Sequence, residues 1–172
     1  MKKILLAVAI ITTFLFPADP VFAQKTGRET GFAIPRFVSL KASKVNLRVG
    51  PEKKYAVQWV YKKSGLPVEI IQEFNQWMRI RDSEGTEGWV LHSLLSGKRT
   101  AIVAPWDKGV GPKQTDRFSK LYNSNSQDSA VLAKLQPGVI VKVKECDKNW
   151  CEVSVKGVSG YMKQPQLWGA YP

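Results

Sequence analysis

The sequence predicts an all-β chain, two small β-barrels in tandem behind a cleavable signal peptide. Three observations predict it. Apolar and polar residues alternate with period two through most of the chain after residue 24, one block of motifs occurs twice at a spacing of 73 residues, and the first 23 residues divide into a basic start, an apolar run and a breaker segment.

The start comes first in the chain. Lys2 and Lys3 precede an apolar run from Ile4 to Phe16, which Pro17 to Pro20 ends. A run of thirteen residues falls short of the ~20 that a helix needs to cross the hydrocarbon core, so the segment reads as a signal peptide rather than an anchor. Val21, Phe22 and Ala23 suit a cut between Ala23 and Gln24. The residue directly after the cut is not a cysteine, which closes the lipoprotein route, and no later stretch is apolar enough to span a bilayer. The mature chain is therefore expected to be soluble, without a transmembrane segment, and periplasmic or secreted. Residues 24–35 read as a flexible leader.

The repeat sets the domain count. Gly65-Leu66-Pro67-Val68-Glu69-Ile70 leads to Trp77-Met78-Arg79-Ile80 and then to Gly88-Trp89-Val90. Gly138-Val139-Ile140-Val141-Lys142-Val143 leads to Trp150-Cys151-Glu152-Val153 and then to Gly160-Tyr161-Met162. Glycine and tryptophan stand twelve positions apart in both copies, and the length differences fall in turns, which tolerate insertion where strands do not. Upstream, Val57 and Tyr61 match Val131 and Leu135. The alternation of Val68, Ile70, Met78 and Ile80, and of Val139, Val141, Val143, Cys151 and Val153, is that of half-buried strands. Ser64-Gly65, Asn75-Gln76, Asp82 to Gly85, Pro137-Gly138, Asp147 to Asn149 and Lys156-Gly157 supply turns. Five short strands per copy predict a small closed barrel, with at most a short helical turn near His92 to Leu95. The first barrel is placed at 36–98 and the second at 116–172. Residues 99–115 read as a linker, in which Ala101-Ile102-Val103 is apolar enough to finish the first barrel as a closing strand and Trp106 is placed to wedge between the units.

In the first copy, Val45-Asn46-Leu47-Arg48-Val49-Gly50-Pro51 with Tyr55-Ala56-Val57, then Gly65, Trp77-Met78-Arg79-Ile80 and Gly88-Trp89-Val90 follow one another. This series resembles the bacterial SH3-like (SH3b) domains, with their opening "LNVRSGPS…YPVV" and later "GWVKI" and "GWV" blocks. The second copy is a weaker match, with Lys120-Leu121-Tyr122-Asn123-Ser124 in place of the opening motif. The resemblance implies SH3-like barrels of a kind usually attached to envelope-targeting or peptidoglycan-directed proteins. It implies wall-peptide binding, and it does not imply polyproline recognition, because a fold does not carry a site with it.

Charge narrows the ligand. The chain has 26 basic and 14 acidic residues, and removal of residues 1–23 leaves 149 residues with a net charge of +11. An exported basic chain meets peptidoglycan carboxylates and lipid or polysaccharide phosphates rather than nucleic acid. Catalytic chemistry lacks its parts. His92 is the one histidine and lies in the first copy, whereas both cysteines lie in the second, so a thiolate nucleophile and its base are not expected together. One histidine and two cysteines separated by four residues match no zinc spacing. No enzyme, metal or cofactor is expected, and Asp82, Glu84 and Glu87 read as a solvated hairpin tip.

Cys146 and Cys151 flank the turn Asp147 to Trp150 and are expected to form a disulfide in an oxidising compartment. Trp77, Trp89, Trp150 and Tyr161 occupy matched positions and read as barrel packing. Tyr55, Trp59 and Tyr61 have Ser129, Ala133 and Leu135 as counterparts, and aromatics surplus to the fold are candidates for binding. With Asn46 and Arg48 in the opening loop, and Arg79 and Arg81 opposite Met78 and Ile80, they form the candidate groove for a carboxylate-bearing wall peptide. The alternative partner is a periplasmic protein on which the tandem barrels dock as an adaptor.

Overall fold

In a computed structural model, residues 25–107 and 118–170 are described. The signal segment, its expected cut between Ala23 and Gln24, and residues 108–117 lie outside them. Fourteen strands form two sheets of seven with the same topology. The first comprises β1 (Arg36–Leu40), β2 (Val45–Arg48), β3 (Val57–Tyr61), β4 (Pro67–Phe74), β5 (Trp77–Arg81), β6 (Glu87–Leu91) and the two-residue β7 (Leu95–Ser96). The second comprises β8 (Thr100–Val103), β9 (Ser119–Tyr122), β10 (Val131–Leu135), β11 (Ile140–Cys146), β12 (Trp150–Val155), β13 (Val158–Lys163) and β14 (Leu167–Trp168). The spatial orders are β3-β2-β6-β5-β4-β1-β7 and β10-β9-β13-β12-β11-β8-β14.

The period-two residues fill the cores. Leu40, Val45, Leu47, Val68, Ile70, Met78, Ile80 and Val90 pack inside the first barrel. Val103, Leu121, Val141, Val143, Cys151, Val153, Met162 and Leu167 pack inside the second. The glycine of each Gly-aromatic block has a steric reason. A Cβ on Gly160 would stand 2.5 Å from the carbonyl oxygen of Tyr122, and one on Gly88 would stand 2.6 Å from Leu47 Cγ. Here β6 and β13 cross β2 and β9 at close range, where only glycine fits. The expected helical turn is a 3-10 turn at His92–Leu94, repeated at Gln164–Gln166.

Two expectations are corrected. Ala101-Ile102-Val103 does not close the first barrel, because β8 pairs with β11 and β14 of the second. It is the counterpart of β1. Leu40 exchanges backbone hydrogen bonds with Leu66 and Gly65, and Val103 exchanges the same pair with Val139 and Gly138. Trp106 does not wedge between the units; its ring is exposed.

The leader is also ordered from residue 25. Thr26 bridges Ala33, and Gly27 donates to Phe32 O at 2.8 Å, forming a hairpin whose Ile34 enters the first core. Its anchor is Glu73. This residue stands opposite the core-facing Met78, so its carboxylate points into the end of the barrel and is fully buried. The backbone N–H groups of Glu29 and Thr30 donate to it at 3.0 Å, Thr30 Oγ1 at 2.6 Å and Arg36 Nη2 at 2.8 Å. A buried charge persists only when paired and hydrogen-bonded. Arg36 of β1 supplies the charge partner and the leader supplies the other donors.

Candidate functional site

Strand parity places the site. Met78 and Ile80 face the core, so Trp77, Arg79 and Arg81 project from the outer surface of β5. Trp77 is consequently outside the apolar core although it is 9% exposed. It forms the floor shared by two adjoining hollows. The smaller, about 220 Å³, is lined by Lys44, Asn46, Arg48, Lys53, Trp77, Leu91 and Leu94. The larger is an open cleft of about 1140 Å³ bounded by Pro51 and Glu52 on one side and by Phe74, Asn75 and His92 on the other, with Glu29 and Thr30 of the leader hairpin at its margin.

The groove has a cationic end and an apolar end. Lys44 and Lys53 make no ion pair among the described residues. Arg48 Nη1 donates to Tyr55 O at 2.6 Å, which holds the opening loop closed and fixes the guanidinium near the Trp77 face. Of the two acids at the rim, Glu29 and Glu52, the second is engaged by Lys54 at 2.9 Å. Phe74 stands 48% exposed at the apolar end, edge-on to Trp89 at 6.4 Å. Such a groove offers an aromatic floor for apolar atoms and donors for a negative group.

The residues singled out from sequence divide among four places. Asn46 and Arg48 line the groove. Arg79 and Arg81 lie on the same outer face but are engaged by carboxylates, Arg79 with Glu87 at 3.0 Å and Arg81 with Glu69 at 2.8 Å. Tyr55 and Trp59 are exposed, at 38% and 57%, outside the lining of both hollows. Tyr61 is not part of a surface cluster. Its ring is buried in the core, and its hydroxyl donates to Asp82 Oδ2 at 2.9 Å. Burial first, and then the bond to Asp82, raises the Tyr61 phenol above its usual range.

Asp82 also accepts the N–H groups of Glu84 and Thr86 at 2.9 Å, which accounts for the acidic hairpin tip as turn chemistry.

The second barrel repeats the place with different chemistry. Trp150 occupies the position of Trp77, in a hollow of about 410 Å³ lined by Asn125, Ser126, Gln127, Asn149, Lys163 and Pro165. Lys163 stands where Leu91 stands, since each faces the tryptophan across its strand pair. Tyr122, in the place of Arg48, packs edge-on against Trp150 at 5.5 Å. The second hollow is thus polar where the first is apolar and cationic.

Cys146 and Cys151 are bonded, with an S–S distance of 2.06 Å, so neither is a free thiol. Among the described residues no group of three or more histidine, cysteine or carboxylate side chains is arranged to hold a metal, and no helix is long and apolar enough to cross a membrane.

A family comparison agrees with the doubled architecture. A family model described as Bacterial SH3 domain matches residues 41–97 and 117–169. The chain is 24% identical over 159 residues to a Bacillus subtilis (strain 168) protein named "Putative N-acetylmuramoyl-L-alanine amidase YrvJ", covering 92% of this chain and 29% of that one. Among solved structures, NlpC2 and NlpC1 from Trichomonas vaginalis align at a TM-score of 0.34 with 12% and 11% identity. They cover 80% and 86% of this chain and 48% and 49% of theirs. An NlpC/P60 family protein from Bacillus cereus ATCC 10987 aligns at 0.33 with 10% identity, covering 77% of this chain and 55% of its own. The chain thus spans less than a third of the curated relative and about half of these structures, and no functional conclusion follows from likenesses at that TM-score.

Proposed function

We propose a cell-wall-binding function for this chain, which belongs to the bacterial SH3 domain family in both of its barrels. The observation that carries the reading is the Trp77 groove, an aromatic floor beside Lys44, Arg48 and Lys53. A peptidoglycan stem peptide has apolar side chains and free carboxylates, and this groove supplies a surface for the first and donors for the second. The matched relative is named for the N-acetylmuramoyl-L-alanine linkage, which supports wall material as the environment. The family and the disulfide fit an extracellular or cell-envelope protein. Export through the signal peptide, with cleavage after Ala23, and a binding role without catalysis complete the reading.

Co-sedimentation of the purified mature protein with peptidoglycan tests it. Exposed charges are screened beyond about 8 Å at physiological ionic strength, so general attraction to the basic surface fades with salt while binding in the groove persists. Trp77→Ala is expected to remove the salt-resistant fraction. A salt-resistant fraction indifferent to Trp77→Ala would count against the groove, and its absence from wild type would count against wall binding.

A second reading, docking on an envelope protein, has its own observation. Strand β3 ends the first sheet, and Val57 and Trp59 on it are 42% and 57% exposed, beside Val49 at 57%. An end strand with exposed apolar side chains is a surface on which another chain can add a strand. Capture of one envelope protein, lost in Trp59→Ala and retained in Trp77→Ala, favours this reading.

A further inference from the structure

The two barrels meet along a short seam. Thr100 Oγ1 donates to Gly65 O at 2.8 Å, and the Phe37 ring meets Trp168 edge-on at 5.0 Å. A cleft of about 640 Å³ opens beside these contacts. Its charged lining consists of Lys41, Lys98, Arg99 and Lys142, with serine and threonine hydroxyls between them and no carboxylate. The cations come from both barrels and the connection. Lys142 stands directly opposite Thr100 in the β8–β11 register, so its side chain leaves the sheet on the side that Thr100 uses to reach the first barrel. Arg99 Nη2 donates to Ala170 O at 3.0 Å, which holds the guanidinium at the seam.

This concentration of charge lacks the carboxylates that pair several cations elsewhere. Arg36, Arg79, Arg81 and Lys144 each engage a carboxylate. Lys41, Lys98 and Lys142 engage none among the described residues. The three lysines Lys41, Lys98 and Lys142 around one cleft repel one another unless an anion enters. A single carboxylate brings one negative charge, whereas a phosphomonoester brings about −1.5 to −2 with three acceptor oxygens, enough to meet donors from both barrels at once.

We propose that the barrel junction is an anion site for multiply charged phosphate groups, separate from the Trp77 groove and going beyond the wall-peptide reading. A bound phosphate bridges Lys41 of the first barrel and Lys142 of the second. It therefore also fixes the barrels relative to one another.

Inorganic pyrophosphate is the probe, titrated into the full mature protein by calorimetry at low salt. Saturable binding is expected, weakened about tenfold by Lys41→Gln and by Lys142→Gln, since each removes one charge-assisted contact. Trp77→Ala and Lys148→Gln, in the turn beyond Cys146 at the other end of β11, leave it unchanged, so that failure of this site and failure of the groove are told apart. No saturable binding, or equal weakening by Lys148→Gln, overturns the proposal. Vesicles of phosphatidylcholine with and without phosphatidic acid separate the sources. Binding to the acidic vesicles that Lys142→Gln weakens identifies a lipid headgroup, and binding of pyrophosphate alone identifies a phosphate that is not membrane-borne.

Discussion

Glu73 and Arg36 form a buried ion pair at 2.8 Å between β4 and β1, and the same carboxylate accepts the Glu29 and Thr30 N–H groups that tie the leader hairpin to the end of the first barrel. Burial by itself pushes the Glu73 carboxyl up. The hydrogen bonds from the Thr30 side chain and backbone, from Arg36 and from Glu29 outweigh that and hold it at about 2, against 4.5 for an ordinary glutamate. The folded chain thus binds this proton more weakly than the unfolded chain does. The stabilisation is complete above pH 4.5 and is lost as the pH falls from there towards 2. The pKa difference corresponds to at most about 3 kcal/mol. Urea midpoints measured between pH 6 and 2.5 are expected to fall steeply over this window in wild type. Glu73→Gln should flatten the fall, and an unchanged profile in that variant would assign the acid sensitivity elsewhere.

Gly27 makes the same contact from the other side. A Cβ at that position would overlap the Glu73 carboxylate. Gly27→Ala is therefore expected to lift the hairpin and deprive the buried carboxylate of its donors, a loss of about 1–3 kcal/mol. Amide exchange at Glu29 and Thr30 should accelerate in this variant. Wild-type protection at both amides would contradict the contact.

The disulfide acts on one barrel. It closes a five-residue separation between Cys146 and Cys151, a loop so short that its removal costs about 2 kcal/mol. Replacing both cysteines by serine should lower the stability of the second barrel, followed by exchange in β12, and leave exchange in β5 unaltered. Two titratable thiols in the mature protein isolated from its host would contradict the bond.

Much of this structure was legible in the sequence because duplication and strand parity leave direct marks. The strand pairs built on Val68, Ile70, Met78 and Ile80, and their copies, fall where alternation places them. The strand at Ala101 to Val103 was legible but its barrel was not, because the rest of that barrel lies beyond residues 108–117. The leader escaped because its partner, Glu73, is more than forty positions away. Tyr61 was counted as surplus since Leu135 replaces it in the second copy, but a phenol that reaches Asp82 fills the same core position. Trp77 carried its own signal. The parity that turns Arg79 and Arg81 outward turns Trp77 outward too, while its ring stays 9% exposed, in keeping with the packing role expected of a matched tryptophan.

The Trp77 groove is the centre of the account, and the indole N–H resonance of Trp77 reports on it directly. A soluble muramoyl peptide titrated into the mature protein at moderate salt is expected to shift that resonance saturably, together with the side-chain signals of Arg48. The Trp150 indole, in its polar hollow, should shift less or not at all. Saturable shifts confined to Trp59 and its neighbours on β3, with Trp77 unmoved, would contradict the groove as the wall-binding site.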